Sequence, residues 1–309
     1  MTTIKQKFIE YNTLIIFIGM IILSACLSNS FFTANNLSNL LRQVAPVGII
    51  SFGMLLVILT GGIDLSVGSI VAAMGVGFAL LSYEIYFPWA FLLTLVISAG
   101  IGMLSGYLIA YQKIAPFIAT LALMTIVRGL GYLFSKGAPV NIGHHSAALL
   151  NLGAGDIFGI PYAGIILLVI FALMFVVLKY NVFGRIVMAI GSNEEAVRLS
   201  GINVSKYKFF VYVIIGLLSG LAALLMVSRT GVGSPNIGIG MELDVIAAVV
   251  IGGASLSGGK GSIVNTLLGV LILGMIGNVM NLLDITSYLQ QVIKGVIILL
   301  AVVFQRYQK

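Results

Sequence analysis

The residues of this chain that could carry out covalent chemistry are few, and they do not gather into a recognisable constellation. His144 and His145 are adjacent, so on regular structure their side chains point apart and cannot readily share a metal ion. The stretch SGGKGS at 257–262 resembles a phosphate-binding loop, but a glycine separates Lys260 from Ser262, where that motif needs Gly-Lys-Ser/Thr. We therefore predict no catalytic residue, no metal site and no cofactor bound by the chain itself.

Ionisable side chains inside apolar runs form a second group, because a charge at the centre of a bilayer costs about 2.5 to 3.5 kcal/mol. Lys294 and Arg128 lie within predicted spans, and Glu242 and Asp244 open another. Two alternatives stay open for Lys294: an internal partner, either a carboxylate or backbone carbonyls, or extension along its own stem to the headgroups. Lys294, Arg128 and Asp244 are our candidate intramembrane charges.

The elements that position these residues must be membrane helices. Of 309 residues, 60% are apolar and 8% are charged, against about 25% charged in soluble domains. No polar stretch is long enough to fold into a separate soluble core, so we predict one all-α membrane domain over residues 1–309. The net charge of +7 would suggest nucleic acid in a soluble chain, but here its distribution follows membrane topology, and we expect a bilayer rather than nucleic acid as the partner.

Apolar runs of about 17 to 25 residues cross about 30 Å of hydrocarbon, and they predict about ten transmembrane helices, with eight as the alternative. The predicted spans are 11–28, 44–60, 69–82, 88–111, 116–134, 161–178, 209–228, 242–256, 262–283 and 286–304. Cytoplasmic loops collect lysine and arginine. With both termini in the cytoplasm, eleven of the sixteen lie on that side, three lie outside and two lie within spans. The sequence therefore predicts cytoplasmic N- and C-termini.

The longest polar break is the stretch 184–208, which predicts a short amphipathic helix on the cytoplasmic side. Ser192 and Glu195 have the spacing of a capping box, and Gly201 supplies a C-terminal stop. The apolar side chains expected to face a partner are those of Ala196, Val197 and Leu199. The helix at about 193–201 is thus a candidate docking element, with a merely solvated loop as the alternative.

Glycine is enriched, with 37 residues in the chain. Small residues four apart allow the backbones of membrane helices to approach closely. Ser98, Gly102 and Gly106 have this spacing in one span, and Gly216 and Gly220 have it in another. We predict that these residues pack helices together within one bundle.

Two glycine turns resemble each other: GGIDLSVG at 61–68 and GGASLSGG at 252–259, each soon followed by Ser-Ile-Val. Duplicated membrane halves often place helix breaks at matching positions, near the path that opens and closes. A shared need for tight turns between short helices would give the same similarity, so both interpretations stay open. The candidate gating residues are Gly61, Gly62, Asp64, Gly252, Gly253 and Ser257.

Six motifs spread over nearly the whole chain resemble those of one transporter family. They are FFTANNLSNLLRQ after the first span, ILTGGIDLSVGS at 58–69, PFIATL at 116–121, GAPVN at 137–141, AIGSNEEAVRLSGINVSK at 189–206 and ELDVIAAVVIGGASLSGGKGSIV at 242–264. By these motifs the chain is similar to the membrane-spanning permease subunits of bacterial ABC importers for monosaccharides, with ribose the sugar we expect.

The resemblance implies an importer built from two permease copies, a cytoplasmic ATPase with two nucleotide-binding cassettes and a periplasmic sugar-binding protein. ATP and Mg would bind to the ATPase. The helix at 193–201 would be the coupling helix that the ATPase holds, and the sugar would cross by alternating access. The candidate coupling residues are Asn193, Glu194, Glu195, Arg198, Leu199 and Gly201.

Other functions stay open. Allose, xylose or galactose would fit the same motifs as ribose. A secondary transporter driven by protons or sodium would need carboxylates at the midplane, whereas Asp64 falls in a turn and Glu242 and Asp244 lie near a span end. A membrane enzyme would need a convergent polar site, which the sequence does not offer.

Overall fold

The computed structural model describes residues 12–146 and 148–307. Its helices are α1 (Asn12–Leu27), α2 (Ala34–Leu59), α3 (Val67–Glu84), α4 (Phe87–Ala110), α5 (Pro116–Ser135), α6 (Ala148–Ala154), α7 (Tyr162–Lys179), α8 (Val182–Ser192), α9 (Glu194–Leu199), α10 (Val204–Thr230), α11 (Met241–Ile251), α12 (Ile263–Leu282) and α13 (Ser287–Tyr307). Two-residue strands occur at β1 (Val140–Asn141), β2 (Asp156–Ile157), β3 (Ile160–Pro161) and β4 (Val232–Gly233). The predicted helical class is confirmed. Lys5, Lys7 and Lys309, which entered the orientation prediction, lie outside the described residues.

Seven of the described helices are long and apolar enough to cross a membrane: α2, α3, α4, α5, α7, α10 and α12. The helix α1 is apolar but has 16 residues. The predicted span over 242–256 is wrong in its length, because α11 has 11 residues and ends at Ile251. At 1.5 Å per residue α11 is about 16 Å long, roughly half the thickness of the hydrocarbon.

The central helix is α2, whose residues from Ala45 to Leu59 are almost all fully buried. It begins at Ala34, so the polar residues before 44, predicted to lie in a loop, are helical. Thr33 explains the early start, because its hydroxyl accepts a hydrogen bond from Asn36 N at 3.3 Å and caps the helix. A span length estimated from the thickness of the hydrocarbon therefore underestimated the length of α2.

The predicted packing of small residues is confirmed between α4 and α10. A β-carbon on Gly216 would lie 2.7 Å from Ser98 O and 2.8 Å from Gly102 Cα. One on Gly106 would lie 2.8 Å from Phe209 O. Because these obstacles are backbone atoms, the two helices approach as closely as glycine allows.

The connection between α5 and α7, which lies between two predicted spans, contains the helix α6 and the strands β1, β2 and β3. β1 pairs antiparallel with β4, with Val140 opposite Gly233, so this connection lies at the end of the bundle where α10 finishes. The rings of His144 and His145 lie 4.1 Å apart, so the expectation that they point apart is wrong. Among the described residues, no three His, Cys, Asp or Glu side chains are grouped so that they could hold a metal ion.

Candidate functional site

The helix α9 lies near the start of α10, at the opposite end from the strands β1 and β4. Asn193 is the N-cap of α9. The Oδ1 of Asn193 accepts a hydrogen bond from Ala196 N at 3.0 Å. The predicted capping box is wrong, because Ser192 is the last residue of α8 and its hydroxyl donates to Met188 O. Gly201 follows α9 with φ of 79°, a conformation that favours glycine, so the predicted stop is confirmed.

Two ion pairs involve α9, and they differ in what they join. Glu195 Oε1 lies 2.7 Å from Arg198 Nη2 on the exposed side of the helix, and this bond raises the pKa of the Arg198 guanidinium. Glu194 Oε2 lies 2.6 Å from Nζ of Lys208, whose side chain is 19% exposed. The first pair orders the surface of α9 and contributes little stability. The second pair connects α9 to α10, the membrane helix that follows it.

The helix α9 has one anchoring face and one free face. Val197 is buried against Ile190 of α8 and Val204 of α10, so the prediction that Val197 faces a partner is wrong. Ala196 is exposed, and Leu199 is 79% exposed. On α9, Leu199 lies among the exposed charged side chains of Glu194, Glu195 and Arg198. The structure therefore presents Leu199, with Ala196, on the free face.

The two glycine turns with similar sequences lie against each other, next to α8. Gly259 N donates a hydrogen bond to Leu59 O, the last carbonyl of α2, at 3.0 Å. A β-carbon on Gly258 would lie 3.0 Å from Gly191 Cα and 3.1 Å from Gly61 N. The sequence similarity thus corresponds to a physical contact, in which the end of α2, the turn after α11 and the end of α8 meet.

A polar cavity of about 350 Å³ lies between these turns and α9. Its lining includes Gly61, Gly62, Asn193, Glu194, Lys208 and Ser257. Gly61 has φ of 78°, which side-chain-bearing residues rarely adopt, and a β-carbon on Gly62 would lie 2.5 Å from Tyr212 Oη. A β-carbon on Gly252 would lie 2.6 Å from Asn265 O. Three of the candidate gating residues, Gly61, Gly62 and Ser257, therefore share one cavity with the candidate coupling residues Asn193 and Glu194.

Asp64 is 1% exposed and organises the turn that leads into α3. Its Oδ1 accepts hydrogen bonds from Ser66 N at 2.8 Å and from Ser66 Oγ at 2.6 Å. Its Oδ2 has no hydrogen-bond partner within the described part of the chain, and the same holds for the buried hydroxyl of Tyr212. Asp64 is therefore a structural carboxylate of the turn with one acceptor left over.

The intramembrane charges have internal partners. Lys294 Nζ lies 2.9 Å from Asp244 Oδ2, and both side chains are about one-third exposed, so the first of the two alternatives for Lys294 is the one observed. Arg128 Nη1 donates to Pro235 O at 2.9 Å and to Ile237 O at 2.7 Å. One charge thus joins α11 to α13, and the other joins α5 to the segment before α11.

Three features of the structure were not predicted from the sequence. The first is α8, although Asn181 caps it by accepting from Phe183 N and apolar residues follow at helical spacing. The second is Lys208 as the partner of Glu194. The third is a reciprocal amide pair between α2 and α12, in which Asn36 Nδ2 lies 3.0 Å from Asn278 Oδ1 and Asn278 Nδ2 lies 2.7 Å from Asn36 Oδ1. Only α8 carried a local signal, namely its cap and its periodicity.

Comparisons with known proteins identify the family. The chain matches the family described as "Branched-chain amino acid transport system / permease component" over residues 36–302. It is 44% identical over 301 residues to the ribose import permease protein RbsC of Escherichia coli strain K12, covering 96% of this chain and 94% of that protein. No solved structure matches it.

Two further relatives from the same organism are 39% identical. One is the probable ABC transporter permease protein YphD, with 88% of this chain and 82% of that protein covered. The other is the L-arabinose transport system permease protein AraH, with 97% and 91% covered. All three relatives are named as permeases rather than enzymes. Together with the seven apolar helices, the match over residues 36–302 shows that this chain belongs to the family of permease components and is a multi-pass protein of the inner membrane.

Proposed function

We propose that this chain is the permease subunit of an ATP-driven ABC importer that moves a monosaccharide, ribose foremost, from the periplasm to the cytoplasm. The observation that carries the proposal is the similarity to a ribose import permease over 96% of the chain, combined with a projecting helix that exposes Ala196 and Leu199 beside charged side chains. The chain itself binds no nucleotide and catalyses no reaction.

The proposed assembly contains two copies of this chain, an ATPase with two cassettes that hold ATP and Mg, and a periplasmic sugar-binding protein. Residues 1–309 form one membrane domain with about ten crossings and cytoplasmic termini. Two helices beyond the seven long apolar ones support this count, α1 and α13 with its 21 residues, and a further crossing consists of the short α11 together with the irregular segment before it. The excess of lysine and arginine on the α9 side supports the orientation.

Coupling follows from the contacts of α9. When the cassettes close, the ATPase moves α9 through Leu199 and its neighbours on the free face. The Glu194–Lys208 pair transmits that movement to α10, and the contact between Gly191 and Gly258 transmits it to the two glycine turns. Because these turns end α2 and α11, their displacement re-orients membrane helices and switches access between the two sides.

Reconstitution tests the proposal. The permease, its ATPase and its binding protein are placed in proteoliposomes, and uptake of labelled ribose is measured with ATP, without ATP, and with an ATPase lacking catalytic activity. We expect uptake only with ATP and the active ATPase. Uptake that is unchanged without nucleotide and abolished by an ionophore would instead favour a secondary transporter.

The same vesicles decide the substrate. Each alternative substrate is offered together with ribose at equal concentration, and the uptake of the two is compared. The labelled alternatives are arabinose, allose, xylose, galactose and leucine. Preferred uptake of another sugar would replace ribose while leaving the importer intact, whereas uptake of leucine alone would overturn the assignment to sugars.

A further inference from the structure

The helix α5 exposes two unlike flanks over the half that ends at Ser135. One flank consists of large apolar side chains, Ile126, Leu130, Leu133 and Phe134, which are 41–70% exposed. The other flank carries Ala122, Thr125, Gly129 and Tyr132, spaced three or four residues apart, which places them in one row. The first flank suits hydrocarbon. The second row has smaller side chains as far as Tyr132 and two hydroxyl groups, those of Thr125 and Tyr132.

The segment 234–240 lies against this second row and is not helical. Arg128 Nη2 adds a hydrogen bond to Gly238 O at 3.3 Å to its two bonds with Pro235 and Ile237. Tyr132 Oη donates to Asn236 Oδ1 at 2.6 Å. Four hydrogen bonds from one face of α5 therefore hold this short stretch of irregular backbone.

The segment packs along the side of α3 rather than over its end. A β-carbon on Gly233 would meet the carbonyl of Gly75, and one on Gly238 would lie 2.6 Å from Gly68 O. Seven helical residues separate those two contacts, a rise of about 10 Å along α3. Irregular backbone at such a depth is tolerated only where it is buried in protein or lines a water-filled cavity.

Part of the segment is not buried. Asn236 is exposed, Ile239 is 68% exposed, and the side-chain Nδ2 of Asn236 has no hydrogen-bond partner among the described residues. Glu242, which follows at the start of α11, keeps a buried Oε2 that is likewise unpaired in the described chain. The free Nδ2 of Asn236, on an unwound segment beside this row, is a group that a path for a hydroxyl-rich solute would use.

We propose that the row Thr125, Gly129 and Tyr132 of α5, together with Asn236, lines the outer part of the sugar path. Tyr132 and Asn236 contact the sugar, with the phenol ring against its carbon face and the amide on its hydroxyl groups. Arg128 is a positioning residue that holds the segment 234–240 through its carbonyls. The substrate class rests on the proposed function, whereas the water-lined row rests on the geometry of α5.

Single cysteines test the row. The chain has one cysteine, so Cys26→Ser gives a cysteine-free background. Thr125→Cys and Gly129→Cys place thiols on the polar row, and a β-carbon at 129 meets nothing within 4 Å. The matched controls are Ile126→Cys and Leu130→Cys on the apolar flank. A charged methanethiosulfonate reagent is applied to the complete transporter in membranes.

We expect the row cysteines to react at least about tenfold faster than the controls, because a thiol ionises and meets a charged reagent only in water. Reaction should block ribose uptake, and added ribose with its binding protein should slow the reaction. Equal rates at all four positions, or reaction without loss of uptake, would overturn the inference.

The removal of one hydroxyl supplies a second readout. Tyr132→Phe should raise the KM for uptake by about two- to tenfold, the equivalent of one hydrogen bond. An unchanged KM would refute the assignment of Tyr132 as a sugar contact. If the wild-type transporter imports no sugar at all, the proposed function fails, whereas intact uptake with an unreactive row refutes only this inference.

Discussion

Replacing Leu199 with alanine removes the most exposed large apolar side chain of α9. In the isolated permease this side chain is 79% exposed, so its loss should leave the fold unchanged. In the importer we expect Leu199 to fill a pocket of the ATPase, because an apolar anchor at the centre of a small contact contributes much of the binding energy. The variant should therefore weaken association without weakening the permease.

The size of the effect follows from the exposed surface. Leucine carries three carbons more than alanine, each worth about 0.8 kcal/mol when it is transferred out of water. Scaling that transfer by the 79% of the side chain still exposed gives about 2 kcal/mol. Because about 1.4 kcal/mol corresponds to a factor of ten, the Kd for the ATPase should rise about 25-fold.

The assay measures binding of the purified ATPase to the permease in nanodiscs by biolayer interferometry. Val182→Ala is the matched control, because Val182 is 54% exposed at the start of α8 and lies outside α9. The thermal unfolding midpoint of each permease is recorded in parallel. A Kd for Leu199→Ala within a factor of two of wild type, at an unchanged midpoint, would refute the assignment of α9 as the docking helix.

Three further predictions concern the membrane helices, each read as the free energy of unfolding in detergent. Asn278→Ala leaves the buried Oδ1 of Asn36 without a partner, while Asn36 Nδ2 keeps its bond to Phe31 O, and should cost about 1 kcal/mol, with the double alanine variant costing no more than Asn36→Ala alone. Lys294→Met strands the carboxylate of Asp244 and should cost about 1 to 3 kcal/mol, less than for a fully buried pair, with much of the loss restored by a second change of Asp244 to Asn. Gly216→Ala pushes a methyl group against the backbone of α4 and should cost about 1 to 3 kcal/mol.

Controls keep these predictions sharp. Gly100→Ala adds the same methyl group to α4 where nothing lies within 4 Å, so it should change stability by less than about 0.5 kcal/mol. If it costs as much as Gly216→Ala, close packing at Gly216 is not the cause of the loss, because helix propensity favours alanine over glycine. Additive losses in the asparagine pair, or no rescue by the second change at Asp244, would contradict the pairings.

Much of the architecture was predictable because the bilayer restricts it. Long apolar runs became helices, and the four-residue spacing of Gly102 with Ser98 and of Gly216 with Gly220 identified the helices that touch. Gly201 was recognisable as a stop because a left-handed residue after a helix favours glycine. These features depend on local sequence and on the apolar character of the bilayer interior.

The errors arose where tertiary contacts override local patterns. Val197 looked like part of a docking face, but α8 and α10 bury it and leave Leu199 free. The span expected over 242–256 was too long, because the segment before it already lies at the depth of α3, held there by Arg128. The pattern of apolar residues does not indicate that Arg128, more than 100 positions earlier in the sequence, binds the backbone of the segment 234–240.

The sequence did not indicate which polar residues pair over long distances in the chain. Asn36 and Asn278 are 242 residues apart, and Lys294 and Asp244 are 50 apart. A single sequence shows that such polar residues need partners, because an unpaired polar group inside a membrane is costly. It does not show which partner each one takes.

The most direct measurement is the accessibility of a cysteine at position 199. Leu199→Cys in the Cys26→Ser background is treated with a membrane-impermeant maleimide in inside-out and right-side-out vesicles, with and without the ATPase. The account predicts labelling from the cytoplasmic face alone, and protection when the ATPase is bound. Labelling from the periplasmic face, or labelling that a bound ATPase leaves unchanged, would contradict the claim that α9 couples this permease to its ATPase.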